Sequence, residues 1–265
     1  MKILDSARRW SVLAYYQIRG RQVRGGPWES FWDDVRSHQP EGPVLWDDQP
    51  AGAAAVDLER FRRAFDPRLP LLDIGCGNGQ QTRYLAQSFR HVIGVDVSPA
   101  AVDLAARQSR AFPNISYRVL DGTEPEAAAS LAREIGDTNI YLRGVLHVLP
   151  ARQRVLFVES LRILLGRRGT LYLVEVNHHV LSRLSLFHDD LTLSGLPAAV
   201  EQVVKHGVRP RGFEPADRRS LFPESQWSVL GEGDATIHTV PLAGQEGANL
   251  PATWSLLRPK RETDH

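Results

Sequence analysis

The chain has 265 residues, 42% of them hydrophobic and 24% charged, which is ordinary usage for one globular domain with a modest appendage and excludes wholesale disorder. Its 32 basic residues nearly balance 31 acidic ones, a formal net charge of +1, so overall charge gives no reason to expect nucleic acid or another polyanion as partner. A single cysteine, Cys76, excludes an internal disulfide and a cysteine-cluster metal site.

Residues 1–66 read as an irregular helical cap. Asp5, Arg8 and Arg9 break the first stretch too early for a secretory signal. No run of about 18 apolar residues follows anywhere, so no membrane span is expected and the expected compartment is the cytoplasm. Trp10, Leu13, Ala14 and Ile18 share one helical face, which serves either as a lid or as a helix packed on the core. Trp28, Trp32 and Trp46 are candidates to line an apolar substrate cavity; packing against one another is the alternative.

Residues 67–260 read as the main domain, with a substrate-side insertion at about 177–225. Short apolar runs at 69–74, 91–95, 115–120, 139–142 and 170–176 alternate with helical patterns at 79–89, 98–110, 124–135 and 151–165. Ser98-Pro99 is a hydroxyl cap followed by proline in the first turn. Such alternation predicts parallel β-α-β units in a doubly wound α/β sheet. Runs at 227–240 and 252–257 predict two late strands, seven in all.

The most informative stretch is Asp73-Ile74-Gly75-Cys76-Gly77-Asn78-Gly79-Gln80, where a strand feeds a glycine turn and then a helix. Glycines suit a sharp bend and a ligand that approaches backbone closely. The spacing G-x-G-x-G, with Gln80 where a dinucleotide fingerprint wants glycine, argues against NAD. So does Asp73, because a pyrophosphate gains nothing from a nearby acid. Asp96 closes the second strand, where a carboxylate can accept two ribose hydroxyls, and Val97 follows it. Asp121-Gly122 closes the third, where a carboxylate can accept an exocyclic amine. Three acids around a glycine turn fit an adenosine that carries a cation.

In these residues the chain resembles the class I S-adenosylmethionine-dependent methyltransferases. The resemblance covers residues 69–176. It implies a Rossmann-like methyltransferase fold, S-adenosylmethionine as cofactor, and a cofactor site at Asp73, Gly75, Cys76, Gly77, Gly79, Gln80, Asp96, Val97, Asp121 and Gly122. After the fourth strand, Leu142-Arg143-Gly144-Val145-Leu146-His147 is similar to the Leu-His segment of small-molecule methyltransferases, phenolic O-methyltransferases among them. The likeness points to His147 as general base, and imidazole suits that task near neutral pH. A packed histidine at a helix entry is the alternative.

Glu175 and His178 are the further candidates, for base and for substrate contact. Arg143 stands beside the expected cofactor pocket, where Asp121, Glu175, the cofactor carboxylate or an acidic substrate could pair with it. No metal-ligand spacing is apparent; Asp189 and Asp190 near His178, His179 and His188 read as a solvated loop. No Asn-Pro-Pro-Tyr-like run, the mark of enzymes acting on planar nitrogens, follows the fourth strand. The expected activity is methylation of a small, aromatic or polyketide-like molecule, at a hydroxyl first and at carbon or nitrogen otherwise. The alternative from another class is a silent cofactor-binding module.

Overall fold

The computed structural model describes residues 26–40, 42, 44–47, 50–177, 202–203, 205–208, 212–240 and 249–260. Expectations placed on residues 1–25, and on His178, His179, His188, Asp189 and Asp190, lie outside the described residues. In chain order the elements are α1 (Gly26–His38), α2 (Pro50–Phe61), β1 (Leu71–Ile74), α3 (Gln80–Leu85), β2 (Val92–Asp96), α4 (Pro99–Gln108), β3 (Ile115–Val119) and α5 (Pro125–Ile135). They continue with β4 (Asn139–Arg143), a single 3₁₀ turn (Leu146–Val148), α6 (Ala151–Leu165), β5 (Leu171–Val176), α7 (Pro215–Leu221), β6 (Trp227–His238) and β7 (Asn249–Pro259).

The seven strands form one sheet in the order β3-β2-β1-β4-β5-β7-β6. Strands β1 to β5 pair in parallel, and β7 runs antiparallel between β5 and β6. This is the doubly wound, mostly parallel seven-stranded sheet that the alternation predicts. The strand period of two sorts each strand's side chains between two layers. Leu72, Ile74, Ile93, Val95, Ile140, Leu142, Leu171 and Leu173 meet α5 and α6 on one face. Leu71, Val92, Tyr141, Tyr172, Val174 and Val176 meet Leu58 and Phe61 of α2 and Leu85 of α3 on the other.

The helix boundaries have local causes. Helix α4 begins where Ser98, in extended conformation, accepts a hydrogen bond from the Ala101 N–H at 3.1 Å. Helix α3 ends earlier than its apolar pattern suggests. Its last turn tightens, with Gln87 N–H on the Tyr84 carbonyl, and the Asn114 amide takes the Ala86 and Phe89 carbonyls at 2.8 and 2.9 Å.

The two described helices before the sheet do different jobs. Helix α2 covers the sheet through Leu58 and Phe61. Helix α1 lies on α4, where Phe31, Trp32 and Val35 pack with Ala100, Ala101 and Leu104. Glu29 accepts from Ser98 Oγ (2.5 Å) and from the Ala100 N–H (3.2 Å), so the two helices are joined at the N-terminus of α4.

Candidate active site

In an open parallel sheet the ligand crevice lies at the carboxyl ends of the strands, where the order reverses. Here that point is between β1 and β4, which are neighbours in the sheet. The loop after β1 turns on Gly75, Gly77 and Gly79, with φ of 76°, 53° and 76°. These are left-handed values that other residues rarely adopt. The Gly75 and Cys76 N–H groups both donate to the Val95 carbonyl, at 2.8 and 3.0 Å, which ties the loop to β2. There is also no room for side chains. A Cβ on Gly75 would stand 2.6 Å from the Val145 side chain, and one on Gly77 2.6 Å from the Trp32 ring.

Asp96 sits beneath this loop. One of its oxygens accepts from the Gly77 N–H at 3.0 Å and the other from the Ser98 N–H at 3.0 Å. Burial pushes its pKa up to about 6 against the pull of these donors, and the nearby Glu29 carboxylate adds to the rise. Asp73 accepts from Thr82 Oγ1 at 2.5 Å. Burial pushes it up to about 7, opposed by Thr82 and helped by the charge of Asp96. Among the described residues no cation pairs with either acid. Burial pushes the Cys76 thiol well up, so it is no nucleophile. The Gln80 N–H donates to Asn78 Oδ1 at 3.1 Å and opens α3.

Further along the crevice, one Asp121 oxygen accepts from the Thr123 N–H (2.8 Å) and hydroxyl (2.6 Å). Gly122 lies under the Phe157 ring, which a side chain there would strike. Val97 keeps 44% of its surface exposed and so offers an apolar wall beside Asp96.

On the other side of the reversal, Glu175 at the end of β5 is 1% exposed. It accepts from the N–H groups of Val145 (2.9 Å), Leu146 (2.7 Å) and His147 (3.1 Å), and His147 Nδ1 lies 2.8 Å from it. Four donors occupy its two oxygens, so it organises the loop and has no capacity left to act as a base. Nδ1 faces a carboxylate and is placed to donate to it; in that tautomer the lone pair lies on Nε2. No described residue hydrogen-bonds that nitrogen.

Arg143 pairs with neither Asp121 nor Glu175. Its Nη1 donates to Asp57 of α2 at 2.9 Å and its Nη2 to the Thr236 carbonyl at 3.3 Å. The strand period is the reason. Arg143 shares a face of the sheet with Tyr141, toward α2, whereas Glu175 projects from the opposite face of β5. Asp57 also accepts from the hydroxyls of Tyr141 (2.9 Å) and Tyr172 (2.8 Å).

The tryptophans pack with each other. Ring centroids lie 5.6 Å apart for Trp28 and Trp46 and 6.2 Å apart for Trp32 and Trp46, with Phe31 between them. The Trp32 ring lies against the glycine loop at Gly77. Asp47, beside Trp46, accepts from the Asn78 side chain at 2.9 Å and so ties this cluster to the loop. Among the described residues no group of His, Cys, Asp and Glu could hold a metal ion. Nor is any described helix long and apolar enough to cross a membrane.

Residues 71–169 match the family described as "Methyltransferase domain". The solved structure of an S-adenosylmethionine-dependent methyltransferase from Anabaena variabilis is 39% identical, with a TM-score of 0.80, over 88% of this chain and 94% of that one. This chain belongs to the S-adenosylmethionine-dependent methyltransferases. Among curated relatives of this methyltransferase, the N-demethylindolmycin N-methyltransferase of Streptomyces griseus is 44% identical over 26% of this chain and 30% of its own length. The chloroplastic tocopherol O-methyltransferase of Arabidopsis thaliana is 33% identical over 37% of this chain and 33% of its own. The chain thus matches about a third or less of these curated relatives' length.

The site of the methyltransferase fits its cofactor. A cradle that side chains would fill lies over two buried acids with no cation beside them among the described residues, and S-adenosylmethionine carries positive charge on its sulfur and its amino group. Four residues that matter here carry no motif: Glu29, Asp57, Thr82 and Tyr117, whose ring lies where a Cβ on Gly94 would stand. One signal was available for Tyr117. Gly94 interrupts the apolar strand β2, and glycine inside a strand often marks the close approach of a neighbour.

Proposed function

We propose that this methyltransferase acts on a hydroxyl of a small aromatic or polyketide-like molecule, with His147 as general base. The observation that carries the reading is the Glu175–His147 pair. A carboxylate held by three backbone N–H groups orients the imidazole and stabilises the imidazolium formed when Nε2 takes a proton. S-adenosylmethionine, when bound, supplies a methyl group on a sulfonium. The protein's part is to hold the acceptor oxygen in line with that methyl, remove the hydroxyl proton at His147 Nε2 and keep water out.

In this reading Asp96 receives the ribose hydroxyls. Val97, Asp121 and Gly122 border the adenine, and the loop from Gly75 to Gln80 cradles the amino-acid end, with Asp73 beneath it. Trp32 closes the cofactor side of the acceptor cavity, with Trp28 and Trp46 behind it. Arg143 is turned toward Asp57 and supports β4. The two curated relatives are named for methylation of small molecules, one at oxygen and one at nitrogen. The second supports a reading in which an amine is the acceptor and His147 takes the proton from nitrogen.

The test uses a panel of phenolic and amine acceptors, with products identified by mass spectrometry and NMR. His147→Ala is expected to keep affinity for S-adenosylhomocysteine while turnover of a hydroxyl acceptor falls roughly 10²-fold or more. Unchanged turnover removes His147 as base. Methylation of amines alone removes the hydroxyl reading.

A further inference from the structure

A row of residues crosses the sheet through Asp73. The register aligns Tyr117 with Gly94, Gly94 with Asp73, and Asp73 with Tyr141. In β2 the row has no side chain, and the Tyr117 ring lies in that gap, where a Cβ on Gly94 would strike it. The ring thereby reaches from β3 across β2 to the cofactor loop. A Cβ on Gly79 would strike the Tyr117 hydroxyl. That hydroxyl lies 2.7 Å from Ser109 Oγ, at the C-terminus of α4. Thr82, in the helix that Gly79 caps, donates to Asp73 at 2.5 Å.

The loop needs such a support. Gly79, with φ of 76°, is the N-cap of the six-residue α3 and has no side chain with which to cap it. A helix this short has little stability of its own. On the β2 side the loop is tied down by the Val95 carbonyl and Asp96. Tyr117 is what lies against it from β3. Burial pushes its pKa up to about 12, so the hydroxyl stays protonated and able to donate.

We propose that Tyr117 is a positioning residue for the cofactor: its ring is a wedge against Gly79, anchored by Ser109, that holds the glycine loop in its binding geometry. The proposal rests on S-adenosylmethionine as cofactor and adds a residue that does not itself touch it. Tyr117 acts by preorganisation, because a loop that is already ordered loses less entropy on binding.

The test is calorimetric titration of S-adenosylhomocysteine into wild type, Tyr117→Phe, Tyr117→Leu and Ile115→Ala, well below each unfolding temperature. Ile115, two residues earlier in β3, packs against the core beneath α2 and α3 and controls for general destabilisation. Tyr117→Phe keeps the ring and loses its anchor, and is expected to weaken binding about fivefold. Tyr117→Leu loses the wedge and is expected to weaken it about 30-fold. Ile115→Ala is expected to lower the unfolding temperature and leave Kd unchanged. If Tyr117→Phe binds like wild type, or Ile115→Ala weakens binding as much, the proposal is overturned, whether or not the leucine variant folds. Wild type that fails to bind would instead remove the cofactor assignment itself.

Discussion

At the ends of β1 and β2, Asp73 and Asp96 are buried against a hydroxyl and backbone N–H groups, with no described cation as partner. Against β4, on α2, and at the end of β5 the buried acids are saturated. Asp57 holds Arg143 and two phenols, and Glu175 holds three N–H groups and an imidazole. The difference separates two uses of buried charge. An acid whose pKa is raised by burial is poised to gain from a cationic ligand. An acid already satisfied by the protein fixes geometry and has little left to offer a ligand.

The largest effect should come from breaking the saturated side. Asp57→Asn leaves Arg143, with 13% of its side chain exposed, without its carboxylate. Denaturant unfolding should show a loss of about 3 kcal/mol, within the range for a buried pair that loses one partner. A loss under about 1 kcal/mol would mean that the two sides do not differ in this way. Next comes Glu175→Gln, which puts an amide NH₂ among N–H donors. The expected stability loss is about 2 kcal/mol. Because the Glu175–His147 contact is weakened too, the same variant should turn over more slowly while its affinity for S-adenosylhomocysteine is retained.

The remaining effect has the opposite sign. The folded-state pKa values of Asp73, about 7, and Asp96, about 6, lie above the ordinary 3.8. Between about pH 4 and 7 the folded chain therefore holds protons that the unfolded chain has released, and this contribution to stability falls as pH rises. Asp73→Asn keeps an acceptor for Thr82 and removes the charge. Thermal unfolding should show it more stable than wild type at pH 8, by at least about 1 kcal/mol, and nearly equal at pH 4. Destabilisation at both pH values would show that Asp73 is not an uncompensated acid. Binding of a cationic ligand should also release protons near pH 6.5, measurable as a buffer-dependent enthalpy.

Much of this was legible before any coordinates. The bounds of α6 and the cap of α4 follow from local spacing and hydroxyl chemistry, and both stand where the sequence puts them. So do β1 to β5. Strand β7 extends three residues earlier and two later than its apolar run, because pairing with β6 carries polar positions into the ladder. Within the site, the glycine loop and His147 could be picked out from motif and spacing. Glu175 could be named, but its role as acceptor for a loop about 30 residues earlier could not.

Alternation of apolar runs, turn glycines and a helix cap by themselves determined the parallel sheet and the crest on which its ligand must sit, because each depends on neighbours within a few positions. Only the tertiary structure decided which acids would be paired. Arg143 found Asp57, 86 residues away, since both face the same side of the sheet. Trp32 found Gly77 because α1 docks on α4. Such choices depend on which faces meet after the strands have stacked, and a linear spacing carries no record of that.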